Sequence, residues 1–410
     1  MSDTDNILGF NTVCIRGGHT PESNRAHLTP IYASSTYTFD SAEQAIATFK
    51  GEEKGYIYGR WGNPTITEAE EKIALLEAYG IKDKDGNELQ LKAILHASGM
   101  AAICTMLMGN IKAGQKIITH QSLYGGTHEL VENILPGLGV AAVIVNFHDL
   151  NEVEETIKAD KTISLMHIET PANPTLQCVD IEALAALGKK YGLTVCVDNT
   201  FATPYLQQPF KYNVDYVMHS TTKFLNGHGT AIGGILVGKD IQKMNTGLTK
   251  MHRLLGGNSN AFDAFLLVNG LRTFGLRMDR HCSNADKVAR YLESNKGVEK
   301  VNYLGLDSHP DHAIAMKQMK HAGAMLSFEL KGGFDAGVRF INQLKLCTNA
   351  VSLGTCDTLV CHAPSSTHMS VPREQRLAFG ITDGLIRMSV GIENVEDILS
   401  DLEQAITTGF

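Results

Sequence analysis

Seven short apolar segments, rich in valine, isoleucine and leucine, recur between residues 92 and 238. They are residues 92–97, 115–120, 141–147, 162–169, 193–199, 215–220 and 233–238. Segments with a helical period, such as DIEALAALGKKYG, lie between several of them. Apolar strands that alternate with helices are typical of a parallel sheet with helices on both faces. The sequence therefore predicts an α/β fold with a mostly parallel seven-stranded sheet whose strands are buried on both faces.

The two ends of the chain differ from this central part. Residues 1–70 include the turn-forming segment GYIYGRWGNPT and predict an extended N-terminal arm. Residues 71–270 predict the large α/β domain, in which residues 82–90 form a surface turn. A long helical pattern follows, and strand-like segments then alternate with helices. Residues 271–410 therefore predict a smaller C-terminal α+β domain.

Composition narrows the class of partner. Of the 410 residues, 43% are hydrophobic and 20% are charged, and the net charge of −8 includes no basic block. This balance is typical of a globular protein and offers no basic surface for nucleic acid or an anionic membrane. The chain has no N-terminal signal pattern and no apolar run of about 18 residues. We expect a cytoplasmic protein whose partner is a small molecule.

The eight cysteines do not indicate a metal site or a disulfide framework. None of them forms a CxxC pair. Cys356, Cys361 and His362 lie close together in sequence but lack the paired spacing of a zinc site. We expect reduced, mostly buried thiols and no bound metal.

Five predicted strands are followed by polar segments. These segments are SGMAA, SLYGGT, ETPANPT, DNTFATP and HSTTKFLNGHG. Because ligands of parallel sheets bind outside the carboxyl ends of the strands, the five segments predict one site along one edge of the sheet.

Two glycine-containing segments resemble phosphate-binding loops, and their positions relative to the predicted strands and helices distinguish them. Ser98, Gly99 and Met100 precede an apolar helical run, where helix amides could hold a phosphate, although small residues are also required structurally at such turns. The segment GHGTAIGG, at residues 227–234, precedes a strand rather than a helix, so we reject a dinucleotide-binding motif.

Asp198 and Lys223 follow consecutive predicted strands. A carboxylate at the end of a buried strand needs a cation or several hydrogen bonds, and a protonated pyridine nitrogen would supply the cation. Lysine can form a Schiff base with an aldehyde, and the hydroxyls of Ser220 and Thr222 could hold a phosphate. Each residue alone could be structural. Together they predict a pyridoxal phosphate site.

With YGRWGNPT and LIRMSVGIE, these motifs span residues 58–393, and the resemblance that they carry runs from about residue 8 to the end of the chain. In their order and spacing the sequence resembles the cysteine and methionine metabolism family of pyridoxal phosphate enzymes. The resemblance implies the fold type I architecture of aspartate aminotransferase and pyridoxal 5′-phosphate as cofactor. It also implies a homodimer with shared active sites that assembles into a homotetramer. A noncatalytic α/β scaffold would require the agreement to be accidental.

The resemblance also implies roles for individual residues. Lys223 matches the Schiff-base lysine and catalytic base, Asp198 the partner of the pyridine nitrogen, and Tyr124 the residue that stacks on the ring and protonates the leaving sulfur. The residues that match the phosphate site of one subunit are Ser98, Gly99, Met100, Ser220 and Thr222. Tyr58 and Arg60 match a pair that reaches this phosphate from the neighbouring subunit.

Arg387 is the residue that the resemblance assigns to the substrate α-carboxylate, which suits the planar fork of arginine. Without the resemblance, it could equally be a solvated arginine on a strand. Asn173 and Ser352 resemble further contacts to the cofactor O3′ or the substrate carboxylate. Glu169 resembles a site residue near the cofactor ring.

Two positions bear on the substrate. Val351 stands where family members that handle cystathionine generally carry glutamate, which favours a small apolar leaving group. Gly126 stands where methionine γ-lyases typically have cysteine, and His252 and Arg253 stand where those enzymes carry Lys-Asp. We expect γ-elimination from L-methionine to methanethiol, 2-oxobutanoate and ammonia. The alternatives are an O-acetyl- or O-succinylhomoserine sulfhydrylase and a cystathionine γ-lyase or γ-synthase.

Overall fold

The computed structural model describes residues 8–19, 25–369 and 371–408. Residues 1–7 and 20–24 of the predicted arm lie outside the described residues. In the described part of the chain the strands form a seven-stranded sheet and a five-stranded sheet. No helix among the described residues is long and apolar enough to cross a membrane.

The seven predicted strands form the large sheet. They are β1 Lys92–His96, β2 Lys116–Thr119, β3 Ala141–Ile144, β4 Ile163–Glu169, β5 Thr194–Asp198, β6 Tyr216–His219 and β7 Gly234–Gly238. Their order is β1-β7-β6-β5-β4-β2-β3, and only the two pairings made by β7 are antiparallel. The prediction of a mostly parallel sheet is confirmed.

One detail of that prediction is wrong. We expected every strand to be buried on both faces, but Ala141 and Ile144 of β3 are exposed. β3 lies at the edge of the sheet and pairs with β2 alone. The other edge strand, β1, is largely buried because helices pack against it.

Sixteen α-helices occur among the described residues. They are α1 Phe10–Arg16, α2 Ala42–Lys50, α3 Pro64–Ala78, α4 Gly99–Met108, α5 Gly125–Glu129, α6 Leu150–Ala159, α7 Ile181–Lys190, α8 Thr203–Leu206, α9 Ile241–Lys243, α10 Thr249–Leu255, α11 Ala261–Arg272, α12 Phe274–Ser294, α13 His312–Gln318, α14 Gly333–Gln343, α15 Arg373–Ala378 and α16 Val395–Thr408. The long helical pattern after residue 270 therefore forms parts of two helices, which are separated at Thr273.

Side-chain alternation gives the large sheet two apolar faces. Val195 and Val197 of β5 pack in one cluster with α3, α6 and α7, whereas Cys196 packs in another with α4. Because successive side chains of a strand point to opposite faces, Asp198 lies on the same face as Cys196. The end of β5 therefore directs the Asp198 carboxyl toward the face that α4 covers.

The second sheet forms the core of the C-terminal part. Its strands are β8 Val298–Asn302, β9 Met325–Leu330, β10 Thr348–Asn349, β11 Leu359–His362 and β12 Leu385–Ser389, in the order β10-β11-β12-β9-β8. Side chains of α12, α14 and α16 pack against it. The sequence pattern predicted β8, β9 and β12 but missed β10 and β11, which span only two and four residues.

Candidate active site

A cavity of about 420 Å³ opens at the carboxyl edge of the large sheet. The ends of β1, β4, β5 and β6 border it, and the C-terminal part contributes the segment before β11 and one residue of β12. Predicted site residues that line the cavity are Ser98, Gly99, Met100, Tyr124, Glu169, Asn173, Asp198, Ser220, Thr222, Lys223, Val351, Ser352 and Arg387. The structure thus gathers most of the predicted site in one place. We refer to Glu169, Asp198 and Lys223 as the floor of the cavity.

Lys223 lies four residues beyond the end of β6, and its Nζ donates a hydrogen bond to Ser352 Oγ at 3.1 Å. Burial, together with the positive charge of Arg387, lowers the pKa of Lys223 to about 8. A larger fraction of this amine is therefore uncharged near neutral pH than for an ordinary lysine. The uncharged amine is the form that attacks an aldehyde carbon.

Asp198 is buried, and its carboxyl is held by the residue two positions later. Asp198 Oδ1 accepts hydrogen bonds from Thr200 Oγ1 at 2.6 Å and from the Thr200 backbone N–H at 3.0 Å. Burial raises the pKa of Asp198, although the Thr200 hydrogen bonds and the nearby His219 oppose that rise. No lysine or arginine of the described residues forms a salt bridge with Asp198. The carboxyl thus fits a cationic ring nitrogen, which would supply the missing partner.

The first turn of α4 faces the same cavity. Ser98 caps this helix, because its Oγ accepts the Ala101 N–H at 3.1 Å, and the Gly99 and Met100 amides begin the helix. A Cβ atom at Gly99 would lie 2.9 Å from Ser220 Cβ, so only glycine allows this close approach. Helix amides next to serine and threonine hydroxyls fit a phosphate group.

Tyr124 immediately precedes α5, and its side chain is half-exposed at the cavity wall. Its backbone N–H donates to Glu169 Oε2 at 2.7 Å. Gly126 is not among the residues that line the cavity, and its predicted role in substrate binding stays a prediction. A Cβ atom at position 126 would lie 2.7 Å from Tyr124 Cε1 and 2.8 Å from Met100 Sδ. Gly126 therefore lets the tyrosine ring and Met100 pack closely behind the cavity wall.

Arg387 lies on β12 and is only 4% exposed, which rules out the alternative of a solvated strand arginine. Its Nη1 donates to Asn173 Oδ1 at 3.2 Å, and its Nη2 donates to the carbonyl oxygens of Val351 and Ser352 at 3.0 Å. These partners orient the guanidinium at the cavity. The remaining N–H groups are suited to a carboxylate.

Tyr58 and Arg60 do not line the cavity of their own chain. They lie in a turn of residues 58–61, which we call the arm turn. Arg60 Nη1 donates to the Arg253 carbonyl oxygen at 2.5 Å, and the Arg253 guanidinium stacks on the Trp61 ring with 5.5 Å to its centroid. His252, by contrast, is buried and contacts the Leu95 carbonyl oxygen. A single chain therefore does not bring the arm turn to its own site.

Several lining residues were missed by the sequence analysis. They include Thr200, Phe201, Met218 and Ile232. A hydroxyl two residues after an aspartate is a signal that could have identified Thr200, because such side chains close local turns. The described residues include no group of three or more histidine, cysteine or acidic side chains that could hold a metal.

The sequence and fold of this chain are similar to those of known proteins. The family model described as "Cys/Met metabolism PLP-dependent enzyme" matches residues 11–407. The chain belongs to this family. The predicted α/β fold and the pyridoxal phosphate cofactor are thereby confirmed, and the protein is a PLP-dependent enzyme.

Relatives with different names align over almost the whole chain. An L-methionine gamma-lyase of Fusobacterium nucleatum subsp. polymorphum is 45% identical over 399 residues, which cover 97% of this chain and 98% of that protein. An O-succinylhomoserine sulfhydrylase of Pseudomonas aeruginosa is 35% identical and covers 97% and 95%, respectively. The solved structure of a cystathionine gamma synthase from Xanthomonas oryzae pv. oryzae is 34% identical, covers 98% of each chain and has a TM-score of 0.90.

Proposed function

We propose that the protein is a PLP-dependent carbon–sulfur lyase that converts L-methionine and water to methanethiol, 2-oxobutanoate and ammonia. The observation that carries this proposal is one cavity in which Lys223, Asp198, Tyr124 and Arg387 surround an opening lined by Val351. The similarity to L-methionine gamma-lyases over nearly the full chain supports the same activity.

The roles of the floor residues follow from their positions. Bound pyridoxal phosphate supplies an electron sink that stabilises negative charge on the substrate α-carbon. Lys223 Nζ would hold the cofactor, and its uncharged amine would remove the α-proton as a general base. Its lowered pKa suits both tasks because the amine must be uncharged. Asp198 provides the negative charge that keeps the ring nitrogen protonated.

The walls of the cavity orient the substrate. Arg387, which Asn173 and two carbonyl oxygens hold in place, binds the α-carboxylate. Tyr124, whose side chain faces the cavity, donates a proton from its hydroxyl to the leaving sulfur. The α4 amides with Ser220 and Thr222 bind the cofactor phosphate, since a helix N-terminus favours anions.

The arm turn completes the phosphate site of a neighbouring subunit in this proposal. Tyr58 is exposed and neither residue lines its own cavity, so both could serve a second copy. Arg60 would then give up its hydrogen bond to the Arg253 carbonyl oxygen. A homodimer is then the smallest active unit, and we propose that dimers pair into a cytoplasmic homotetramer. The arm of residues 1–70, the domain of residues 71–270 and the domain of residues 271–410 remain our proposed division.

Val351 favours a substrate that carries no charged group on the far side of its sulfur. Its side chain is 60% exposed at the cavity. The charged residues that line the cavity are Glu169, Asp198, Lys223 and Arg387, and all four lie at the floor or at the proposed α-carboxylate site. The distal ammonium and carboxylate of cystathionine would therefore lack ionic partners among the described lining residues. The uncharged methylthio group of methionine needs none.

A second candidate, an O-acetylhomoserine sulfhydrylase, is favoured by the same uncharged opening, because an acetyl ester also carries no charge. Two assays separate the candidates: 2-oxobutanoate release from methionine, cystathionine and homocysteine, and O-acetylhomoserine consumption with and without sulfide. We expect rapid release from methionine without any added thiol. Sulfide-dependent homocysteine formation, with no product from methionine, would establish the second candidate instead.

A further inference from the structure

Two carboxyl groups lie side by side at the floor of the cavity. Glu169 ends β4 and Asp198 ends β5, and the two residues are register partners in adjacent parallel strands. Both side chains line the cavity, and the residues are only 6% and 7% exposed. The proposed function uses Asp198 alone, so the second buried carboxyl needs an explanation.

The two groups differ in the hydrogen bonds that they accept. Asp198 Oδ1 accepts both the hydroxyl and the backbone N–H of Thr200. Glu169 Oε2 accepts the Tyr124 backbone N–H, and the Asn173 backbone N–H also faces the carboxyl. The short hydroxyl bond from Thr200 stabilises the charged form of Asp198 more strongly than the backbone N–H groups stabilise the charged form of Glu169.

The cationic groups of the cavity have other partners. Lys223 donates to Ser352, and Arg387 donates to Asn173 and to carbonyl oxygens. Among the described residues, neither cation forms a salt bridge with Glu169. Among the lysines and arginines of the described residues, Glu169 therefore has no ionic partner to compensate for burial of its charge.

The histidines around the two strand ends do not supply that charge either. His120 Nε2 accepts the Glu169 backbone N–H, and burial lowers the pKa of His120 to about 3. His167 lies two residues before Glu169 on the same strand face, and burial lowers its pKa to about 4. Both rings are thus uncharged near neutral pH. His219, on β6, hydrogen-bonds to buried Glu77.

Two ionised carboxylates on neighbouring buried strand ends would repel each other strongly. Burial and the neighbouring charge of Asp198 raise the pKa of Glu169 well above its usual range. When two carboxyl groups share such a site, the group with the weaker donors keeps the proton.

We propose that Glu169 is a positioning residue that acts as a neutral carboxylic acid: it holds Tyr124 in place and leaves Asp198 as the single negative charge beneath the cofactor. This inference rests on the proposed function for the role of Tyr124. The anchor matters because Tyr124 precedes a helix of only five residues and is half-exposed. Without the Glu169 acceptor, its backbone N–H would lose the hydrogen bond that ties it to β4.

The protonation state is tested by infrared difference spectroscopy on the purified protein, with and without cofactor. Subtracting the spectrum of Glu169→Gln from that of the wild type at a pH of about 8 should reveal a carboxylic-acid carbonyl band. A difference spectrum that contains carboxylate bands instead would overturn the proposal. Because the cofactor-free protein gives the same readout, the result does not depend on whether the proposed reaction is correct.

A matched control is available elsewhere in the fold. Glu70 is a partly buried glutamate that also accepts a backbone N–H, from Leu95 at 2.8 Å, and desolvation raises its pKa to about 7. At a pH of about 8 this group is mostly ionised, so Glu70→Gln should remove carboxylate bands. The proposal therefore requires a carboxylic-acid band in the difference spectrum of Glu169→Gln and carboxylate bands in that of Glu70→Gln.

The positioning role is tested by pH titration of the near-visible absorbance band of the bound cofactor. Glu169→Gln keeps both a neutral group and an acceptor, so the midpoint of the titration should stay in place. If Glu169 were ionised in the wild type, Glu169→Gln would remove a negative charge and lower that midpoint by about one pH unit. Glu169→Leu removes the acceptor, so we expect altered circular dichroism of the band and about tenfold faster cofactor loss. Glu169→Gln should instead match the wild type in both measurements. Equal behaviour of the Gln and Leu variants would refute the positioning role.

Discussion

The floor of the cavity and the arm turn are built in opposite ways. Glu169 and Asp198 end buried strands, and Lys223 lies four residues beyond another. Their hydrogen-bond partners are Tyr124, Thr200 and Ser352, which line the same cavity. Tyr58 and Arg60 lie in a turn whose contacts lead away from that cavity, toward Arg253. The difference indicates that one chain forms the chemical centre of the site by itself. In the function we propose, the arm turn of a second copy would complete the phosphate site.

This division has a physical reason. Strand ends in a packed sheet hold their side chains rigidly, which is what covalent and proton-transfer chemistry requires. A turn on an arm has few buried contacts of its own, so its position depends on the surface against which it packs. Variants of the floor should therefore damage chemistry, and variants of the arm turn should damage cofactor retention and depend on assembly.

The largest effect is expected for Lys223→Ala. Removal of the amine eliminates both the covalent attachment and the base, so the turnover of methionine should fall by about a thousandfold or more. The assay is 2-oxobutanoate release by the holoenzyme. Lys239→Ala, at a lysine that pairs with Asp215 away from the cavity, is the matched control and should retain activity. Normal turnover by Lys223→Ala would disprove the assignment.

The next largest effect concerns the electron-sink partner. Asp198→Asn keeps the shape but removes the charge, and we expect kcat to fall about a hundredfold. Thr200→Val removes the hydroxyl bond that stabilises the charged carboxyl, and a fall of about tenfold is expected. If Thr200→Val were more damaging than Asp198→Asn, the role of Asp198 would be in doubt.

A smaller effect is expected in the arm turn. Arg60→Ala should weaken cofactor binding about tenfold, because a charge-assisted bond to the phosphate is lost, and should leave the fold intact. Mixing this variant with Lys223→Ala tests whether the turn acts in the neighbouring subunit. In a mixed dimer, one site receives an intact lysine and an intact arm turn, so activity at a limiting pyridoxal phosphate concentration should exceed that of either variant alone. Failure of the mixed dimers to recover activity would show that the arm turn serves its own chain.

The smallest effect is a shift along the pH axis. The pKa of Lys223 is about 8, so the fraction of uncharged amine falls about tenfold for each pH unit below that value. Capture of pyridoxal phosphate by cofactor-free protein should therefore accelerate with pH and level off above about 8. Arg387→Gln removes a positive charge that disfavours the ammonium form, so levelling off should move to higher pH. A wild-type rate that still rose steeply near the ordinary lysine pKa would contradict this account.

The sequence placed Asp198 and Lys223 near each other because the ends of neighbouring parallel strands meet at one edge of a sheet, whereas Glu169 was named only from the family resemblance. Once the strands before Asp198 and Lys223 were recognised, their shared edge followed from the geometry of the sheet. The burial of Arg387 was beyond local patterns, since its partner Asn173 lies 214 residues away in sequence. The packing of Gly126 behind Tyr124 and Met100 also depends on tertiary structure. Exposure of β3 required knowledge of the strand order, which sequence does not supply.

The central claim is that Lys223 carries the cofactor. The most direct measurement is reduction of the purified holoenzyme with sodium borohydride, followed by protease digestion and mass spectrometry of the lysine-containing peptides. We predict loss of the near-visible absorbance band and one pyridoxyl-modified peptide, which contains Lys223. An unmodified Lys223, or a pyridoxyl group on a different lysine, would contradict the account.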